Sequence, residues 1–276
     1  MPTAADALPI NFSTVSEADV HLEEVLEDQL AGAMGRGEIV IAFQPQLKVD
    51  TGQLVGAEAL ARWEHPEYGL LGASTLFAVA ERAGVMESLS TQIHKQALTL
   101  AASWPKSLGF LSLSINVTAG DLASAAFDDN MQKQIASAGF EPHRLTLEIT
   151  ESELIGNLSA SADILQRLRT AGVRIAIDDF GTGYSSLSYL KELPVDYLKI
   201  DSGLTGDISG SPKDRVVVRS IIDMAHSLDL SVIAEGVETE GQLKTLAELG
   251  CEYFQGFLRS GPLSPDEFEA FSLRSN

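Results

Sequence analysis

Two adjacent aspartates, Asp178 and Asp179, follow the apolar run 173–177 (VRIAI) and open onto Phe180-Gly181-Thr182-Gly183. Neighbouring side chains on a strand point to opposite faces, so an acidic pair of this kind does not share a core face. At a strand end, where the chain bends, both carboxylates can converge. One can then bridge two cations while the other ligates the second. The glycines allow close backbone approach and motion. A solvated Asp-Asp turn is the plainer reading of the pair taken alone.

Further polar residues end or interrupt other apolar runs. Asn116 lies in 111–117 (LSLSINV), Glu148 in 145–149 (LTLEI) and Glu58 in 54–63 (LVGAEALARW). Each is costly to bury without a partner. Lys199 sits in 195–200, Glu235 follows 230–234 (LSVIA) and Gln255 follows Tyr253-Phe254. A lysine among carboxylates either orients a water and steadies charge on a phosphoryl oxygen, or neutralises the cluster structurally. Glu235 suits a second-metal ligand, a general base, or both in succession. Arg62, four residues after Glu58, suits either a phosphate fork or a surface ion pair. The candidate ligands are all oxygen donors. The five histidines are scattered and form no HExxH pattern, which points to Mg²⁺ or Mn²⁺ rather than Zn²⁺.

The elements that must position these groups alternate strand with helix. Residues 17–36 carry apolar positions at mainly helical spacing. Residues 39–47 (IVIAFQPQL) read as a strand made irregular near its end by Pro45, and the Asp50-Thr51-Gly52 turn joins it to 54–63. This opening pair can form a hairpin, so one strand would run antiparallel. Ser74 is placed to cap the helix that Gly84 ends, and a second helix over 87–104 stops before Pro105. Helices follow over 159–171 and 214–228, and Thr239 with Gln242 makes a capping box whose helix Gly250 closes. A repeated strand–helix unit with polar strand ends predicts an α/β fold, a modified (β/α)8 TIM-type barrel with its chemistry on the C-terminal rim. No internal linker interrupts it, so residues 17–276 read as one domain and 1–16 as a loose tail or linker remnant.

The formal net charge is −20, from 19 basic and 39 acidic residues. Such a surface repels DNA, RNA and anionic lipid, so a small anionic substrate would need local neutralisation by cations. Cys251 is the only cysteine, which excludes an internal disulfide and favours a reducing compartment. No apolar run approaches ~18 residues. The N-terminus has no basic segment followed by an apolar one, so it is not a secretory signal. A cytoplasmic location is expected.

With Glu58-Ala59-Leu60 in EALARW, the chain resembles the EAL domain family of cyclic-di-GMP phosphodiesterases. The likeness runs over about residues 17–271 through FQPQ (43–46), SINV (114–117), EITE (148–151), DDFGTGYSSL (178–187), LKID (198–201), AEGVE (234–238) and QGF (255–257). The resemblance implies a barrel with one antiparallel strand and two Mg²⁺ or Mn²⁺ ions. Glu58, Asn116, Glu148 and Asp178 would hold the first ion. Asp178 and Asp179, helped by Glu235, would hold the second. Lys199 would bind the attacking water. Gln44, Leu60, Arg62, Asp179 and Gln255 would contact substrate. Glu151 would anchor a mobile loop at 179–188. The implied reaction is hydrolysis of cyclic-di-GMP to linear pGpG, with Ca²⁺ binding but not supporting efficient hydrolysis.

A homodimer is expected through 186–193, where Leu187, Tyr189 and Leu190 would be exposed. A diguanylate-cyclase-like or sensory domain is a candidate neighbour in a longer parent protein. Two stretches depart from the family pattern: Arg259-Ser260-Gly261-Pro262 after QGF, and Gly72-Ala73. Competing readings are a silent module that senses cyclic-di-GMP, an enolase-type Mg²⁺ barrel, and a pure protein-interaction module.

Overall fold

The computed structural model describes residues 17–155, 158–181, 189–191 and 193–275, with side chains from residue 24 onward except those of 155 and 189. The chain opens with α1 (Glu17–Arg36), β1 (Ile39–Lys48), β2 (Leu54–His65) and β3 (Gly69–Leu71). Two helices follow, α2 (Ala73–Arg82) and α3 (Met86–Ala102). Then come β4 (Ser112–Asn116), α4 (Ala119–Ala123), α5 (Phe127–Ala138), β5 (Leu145–Thr150), α6 (Glu151–Ile155) and α7 (Leu158–Thr170). The remainder is β6 (Arg174–Phe180), β7 (Tyr197–Ile200), α8 (Ser202–Thr205), α9 (Pro212–Ser227), β8 (Ser231–Ala234), α10 (Glu240–Leu249), β9 (Tyr253–Phe254) and α11 (Pro265–Arg274).

Strand order is β1-β9-β8-β7-β6-β5-β4-β2, and β1 pairs with β2 to close the ring, with β3 attached outside it. The ring is therefore an eight-stranded barrel. β1 runs antiparallel to both its neighbours, and the other ring strands pair in parallel. The expected hairpin is real, and its register breaks between Gln46 and Leu47, next to Pro45. A proline within a strand removes a donor and favours such an irregularity.

The apolar core lies between the ring and the helices, and α1 adds Leu26, Leu30 and Ala33 to it. Parallel strands covered by helices become apolar on the outward face, while the inward face of this barrel is unusually polar. Several stops fall where expected. Thr239 and Gln242 form the reciprocal capping box of α10, and Gly250 ends it in the left-handed conformation. Ser74 is not a cap: α2 begins one residue earlier, its N-cap is Gly72, and no side chain bonds the free N–H groups there. Leu190 is not an exposed contact residue. It is 3% exposed and belongs to the core, because the segment after the loop packs back onto the barrel. Leu187 and the side chain of Tyr189 lie outside the described residues.

Candidate active site

The rim residues come from successive strand ends. Gln44 lies opposite Glu58 across the β1–β2 hairpin, and Asn116 lies beside Glu148 between β4 and β5. Glu58, Leu60 and Arg62 alternate along β2, so they share one face. Gln44 and Leu60 are half-buried.

Lys199 is at the centre and is fully buried. Its Nζ lies 2.7 Å from Glu148 Oε2, 2.9 Å from Asp178 Oδ2, 2.7 Å from Glu235 Oε1 and 3.4 Å from Glu58 Oε2. Gln255 Nε2 donates to Glu58 Oε2 at 2.7 Å and to Glu235 Oε1 at 2.8 Å. Asn116 Nδ2 donates to Glu58 Oε1 at 2.9 Å, which leaves its own amide oxygen free of that bond. Gln46, absent from the expected set, donates to Gln255 Oε1 at 3.1 Å and to Ser114 Oγ at 3.4 Å. Gln44 and Gln46 stand two residues apart on β1, so they share one face.

The aspartate pair converges through a backbone device. Asp179 has φ of +55°, a left-handed conformation that aspartate tolerates better than most residues. The turn brings its side chain to the same side as that of Asp178, and its N–H donates to Asp178 Oδ1 at 2.8 Å. Gly181 follows with φ of +101°, where a side chain would be strained and its Cβ would displace the end of Leu204.

Carboxylate oxygens of Glu58, Glu148 and Asp178 lie within 4.8 Å of one another, and so do those of Asp178, Asp179 and Glu235. The two groups share Asp178. Five carboxylates thus face one ammonium, and the buried Glu148 Oε1 has no hydrogen-bond partner among the described residues. An orphaned oxygen and an excess of anionic oxygen donors fit hard divalent cations.

The electrostatics carry the same imprint. Burial, with the charges of Glu58 and Asp178, pushes the Glu148 carboxyl well above the usual carboxylate range. Burial drives Glu235 up to about 8 despite its contact with Lys199. Burial also raises Glu58, but the Lys199 charge and hydrogen bonds from Gln255, Asn116 and Lys199 outweigh it and hold that group low. Burial and then the neighbouring Asp178 raise Asp179. For Lys199, burial opposes the charge, yet the surrounding carboxylates hold its pKa well above the ordinary lysine value.

Arg62 is 9% exposed, and Nη1 donates to the Ala61 carbonyl at 2.8 Å. It has no ion pair among the described residues, and its buried Nε has no partner. The surface-ion-pair alternative is therefore set aside, and a cation stands ready at the rim. Glu151 is buried at the start of α6. Most of the loop it was expected to anchor, 182–188, lies outside the described residues.

A closed α/β barrel with an acidic, lysine-centred rim defines the class. The chain belongs to the EAL domain family, whose model matches residues 27–262. It is 35% identical over 260 residues to the bifunctional diguanylate cyclase/cyclic di-GMP phosphodiesterase MucR of Pseudomonas aeruginosa, covering 94% of this chain and 38% of MucR. The chain spans less than half the length of the curated relatives it matches. The solved PaMucR phosphodiesterase in complex with c-di-GMP is 36% identical, with a TM-score of 0.84 over 88% of this chain and 99% of that one. The manganese/cy-diGMP complex of BlrP1 from Klebsiella pneumoniae is 32% identical, with a TM-score of 0.73 over 82% of this chain and 56% of that one.

Proposed function

We propose that this chain hydrolyses one phosphodiester bond of cyclic-di-GMP to give linear pGpG, using two Mg²⁺ or Mn²⁺ ions. The observation that carries the reading is the pair of carboxylate groups sharing Asp178 around Lys199. Glu58, Asn116, Glu148 and Asp178 would hold one ion, and Asp178, Asp179 and Glu235 the other. Ions bound there would lower the pKa of a water to make it a nucleophile and stabilise the leaving oxygen. Lys199 would hold that water through its ammonium. Glu235 would take the water's proton. Arg62 would fork the substrate phosphate, with Gln44, Leu60, Asp179 and Gln255 placing the rest of the dinucleotide. The silent-sensor reading predicts a missing ligand or lysine, and every such position is filled here. A cytoplasmic site of action is part of this proposal. Among the described residues, no helix is long and apolar enough to cross a membrane.

Incubation with cyclic-di-GMP and Mg²⁺ or Mn²⁺ should give pGpG on chromatography, and chelation should stop it. Ca²⁺ should support binding with little product, because it takes more ligands at ~2.3–2.6 Å against ~2.0–2.1 Å for Mg²⁺. Binding without product in either Mg²⁺ or Mn²⁺ would favour the sensor.

Metal affinity should depend on pH. Glu235 has its folded pKa raised from 4.5 to about 8, so below that value a proton competes with the cation. Affinity should therefore rise with pH up to about 8, with proton release on binding. Calorimetry in two buffers of different ionisation enthalpy measures both, and a flat profile would remove Glu235 from the ligand set.

The reading extends to a homodimer, and to a neighbouring diguanylate-cyclase-like or sensory domain in a longer protein. Support for the dimer comes from α9, where Val216 is 63% and Val217 44% exposed. The same helix carries Ile221, which packs towards Gly181 at the start of the loop. Val216→Glu should yield monomers in sedimentation experiments and lower turnover with them. Fully active monomers would remove the coupling and leave the hydrolase reading intact.

A further inference from the structure

At the end of the barrel opposite the rim, where the parallel strands begin, lies a half-open polar pocket of about 60 Å³. Its lining includes Gln46, Ser112, Ser114, Thr146, Arg174 and Tyr197, with Tyr253 beside them. TIM-type barrels ordinarily fill this level with branched aliphatic side chains. Here, hydroxyls and a guanidinium face inward instead. Ser114 is 2% and Thr146 4% exposed. The hydroxyls of Ser112, Thr146 and Tyr253 make no hydrogen bond within the protein among the described residues.

Arg174 supplies the charge. Its Nη1 donates to the Tyr197 hydroxyl at 2.8 Å, and its guanidinium lies 6.0 Å from the Tyr197 ring centre. Tyr197 in turn meets Tyr253 edge-on at 6.1 Å. Among the described residues, no carboxylate lies within ion-pairing distance of Arg174. The nearby Asp196 is held by Arg169 and by the Ile175 N–H. No carboxylate lines the space either. A protein of net charge −20 therefore keeps one uncompensated cation here, ringed by hydroxyl donors. Since Tyr197 accepts from Arg174, its own O–H is free to donate.

We propose that this lower pocket is a binding site for a free tetrahedral oxyanion, inorganic phosphate or sulfate. A guanidinium fork matches the geometry of such an ion, and hydroxyls complete its shell. The size agrees. A single water needs roughly 10–15 Å³, so the pocket holds about five atoms of that size, the heavy-atom count of phosphate. The roof of the pocket is Gln46, which reaches Glu58 and Glu235 through Gln255. Occupancy is thereby linked by hydrogen bonds to the rim without touching it.

The test is diffraction from Mg²⁺-loaded crystals soaked in selenate, whose selenium is located by anomalous scattering. A peak beside the Arg174 guanidinium within the barrel is the expected result, and it should vanish in Arg174→Gln crystals. In solution, sulfate affinity by calorimetry should fall at least tenfold in Arg174→Gln and also fall in Thr146→Val. Selenium at the metal rim or the surface only, or ordered water alone in the pocket, overturns the proposal. So does undiminished sulfate binding in Arg174→Gln. The wild-type diffraction result decides by itself should that variant fail to fold. None of these readouts involves hydrolysis of cyclic-di-GMP.

Discussion

Lys199→Ala and Glu235→Gln should each lower turnover of cyclic-di-GMP by at least ~10²-fold, the scale for loss of a positioned acid–base or charge-stabilising group. Substrate binding should fall much less, most clearly in Lys199→Ala. The ammonium is fully buried and touches four carboxylates, so its removal would leave the proposed contact of Arg62 with substrate in place. Glu235→Gln keeps the shape and removes the charge that a base or metal ligand needs. Single-turnover kinetics beside equilibrium binding separates the two effects. Near-normal turnover in both variants would remove the roles assigned to them.

The same lysine change has a second large consequence when cations are stripped away. Breaking a buried charge cluster by deleting one partner costs about 3–5 kcal/mol. In a domain of this size, that lowers the melting temperature on the order of 10 °C. The sign with pH follows from the carboxyls. Glu235 is raised from 4.5 to about 8 in the folded chain, so the stability linked to its bound proton is present below 4.5 and lost as pH rises through about 8. Lys199 itself lowers the Glu235 pKa, so metal-free Lys199→Ala should be destabilised more in alkaline than in acid solution, where the carboxyls are protonated. Mn²⁺ should restore part of the loss at pH 8. Melting curves with chelator and with Mn²⁺ test this, and a variant as stable as wild type in chelator would show that Lys199 does not hold the cluster together.

Much of this arrangement was legible in the sequence. The polar ends of 111–117, 145–149 and 230–234 lie on one rim because parallel strands all end on the same side. The β1–β2 hairpin was legible because a turn signal separates two apolar runs. The sequence was less informative where tertiary packing decides. Ser74 looks like a cap, yet the entry of the chain from β3 lets Gly72 begin α2. Leu190 looks exposed, yet the segment folds back into the core. Gln46 was hidden because an amide within an apolar strand does not announce which face it takes. The conformation that turns Asp179 towards its neighbour is a property of one backbone angle, and no residue pattern specifies it for aspartate.

The antiparallel β1 strand meets β9 through only two residue pairs, Leu47 with Phe254 and Lys48 with Tyr253, besides the bridge from Phe43 to Leu263. Those partners come from opposite ends of the chain. During synthesis the early hairpin can form at once, but the ring cannot shut until the final strand has left the ribosome. Joining distant segments also carries the larger loop-closure entropy, so closure is a late event. Until then one strand edge waits unpaired, and the nascent protein is vulnerable to edge-to-edge association with its neighbours.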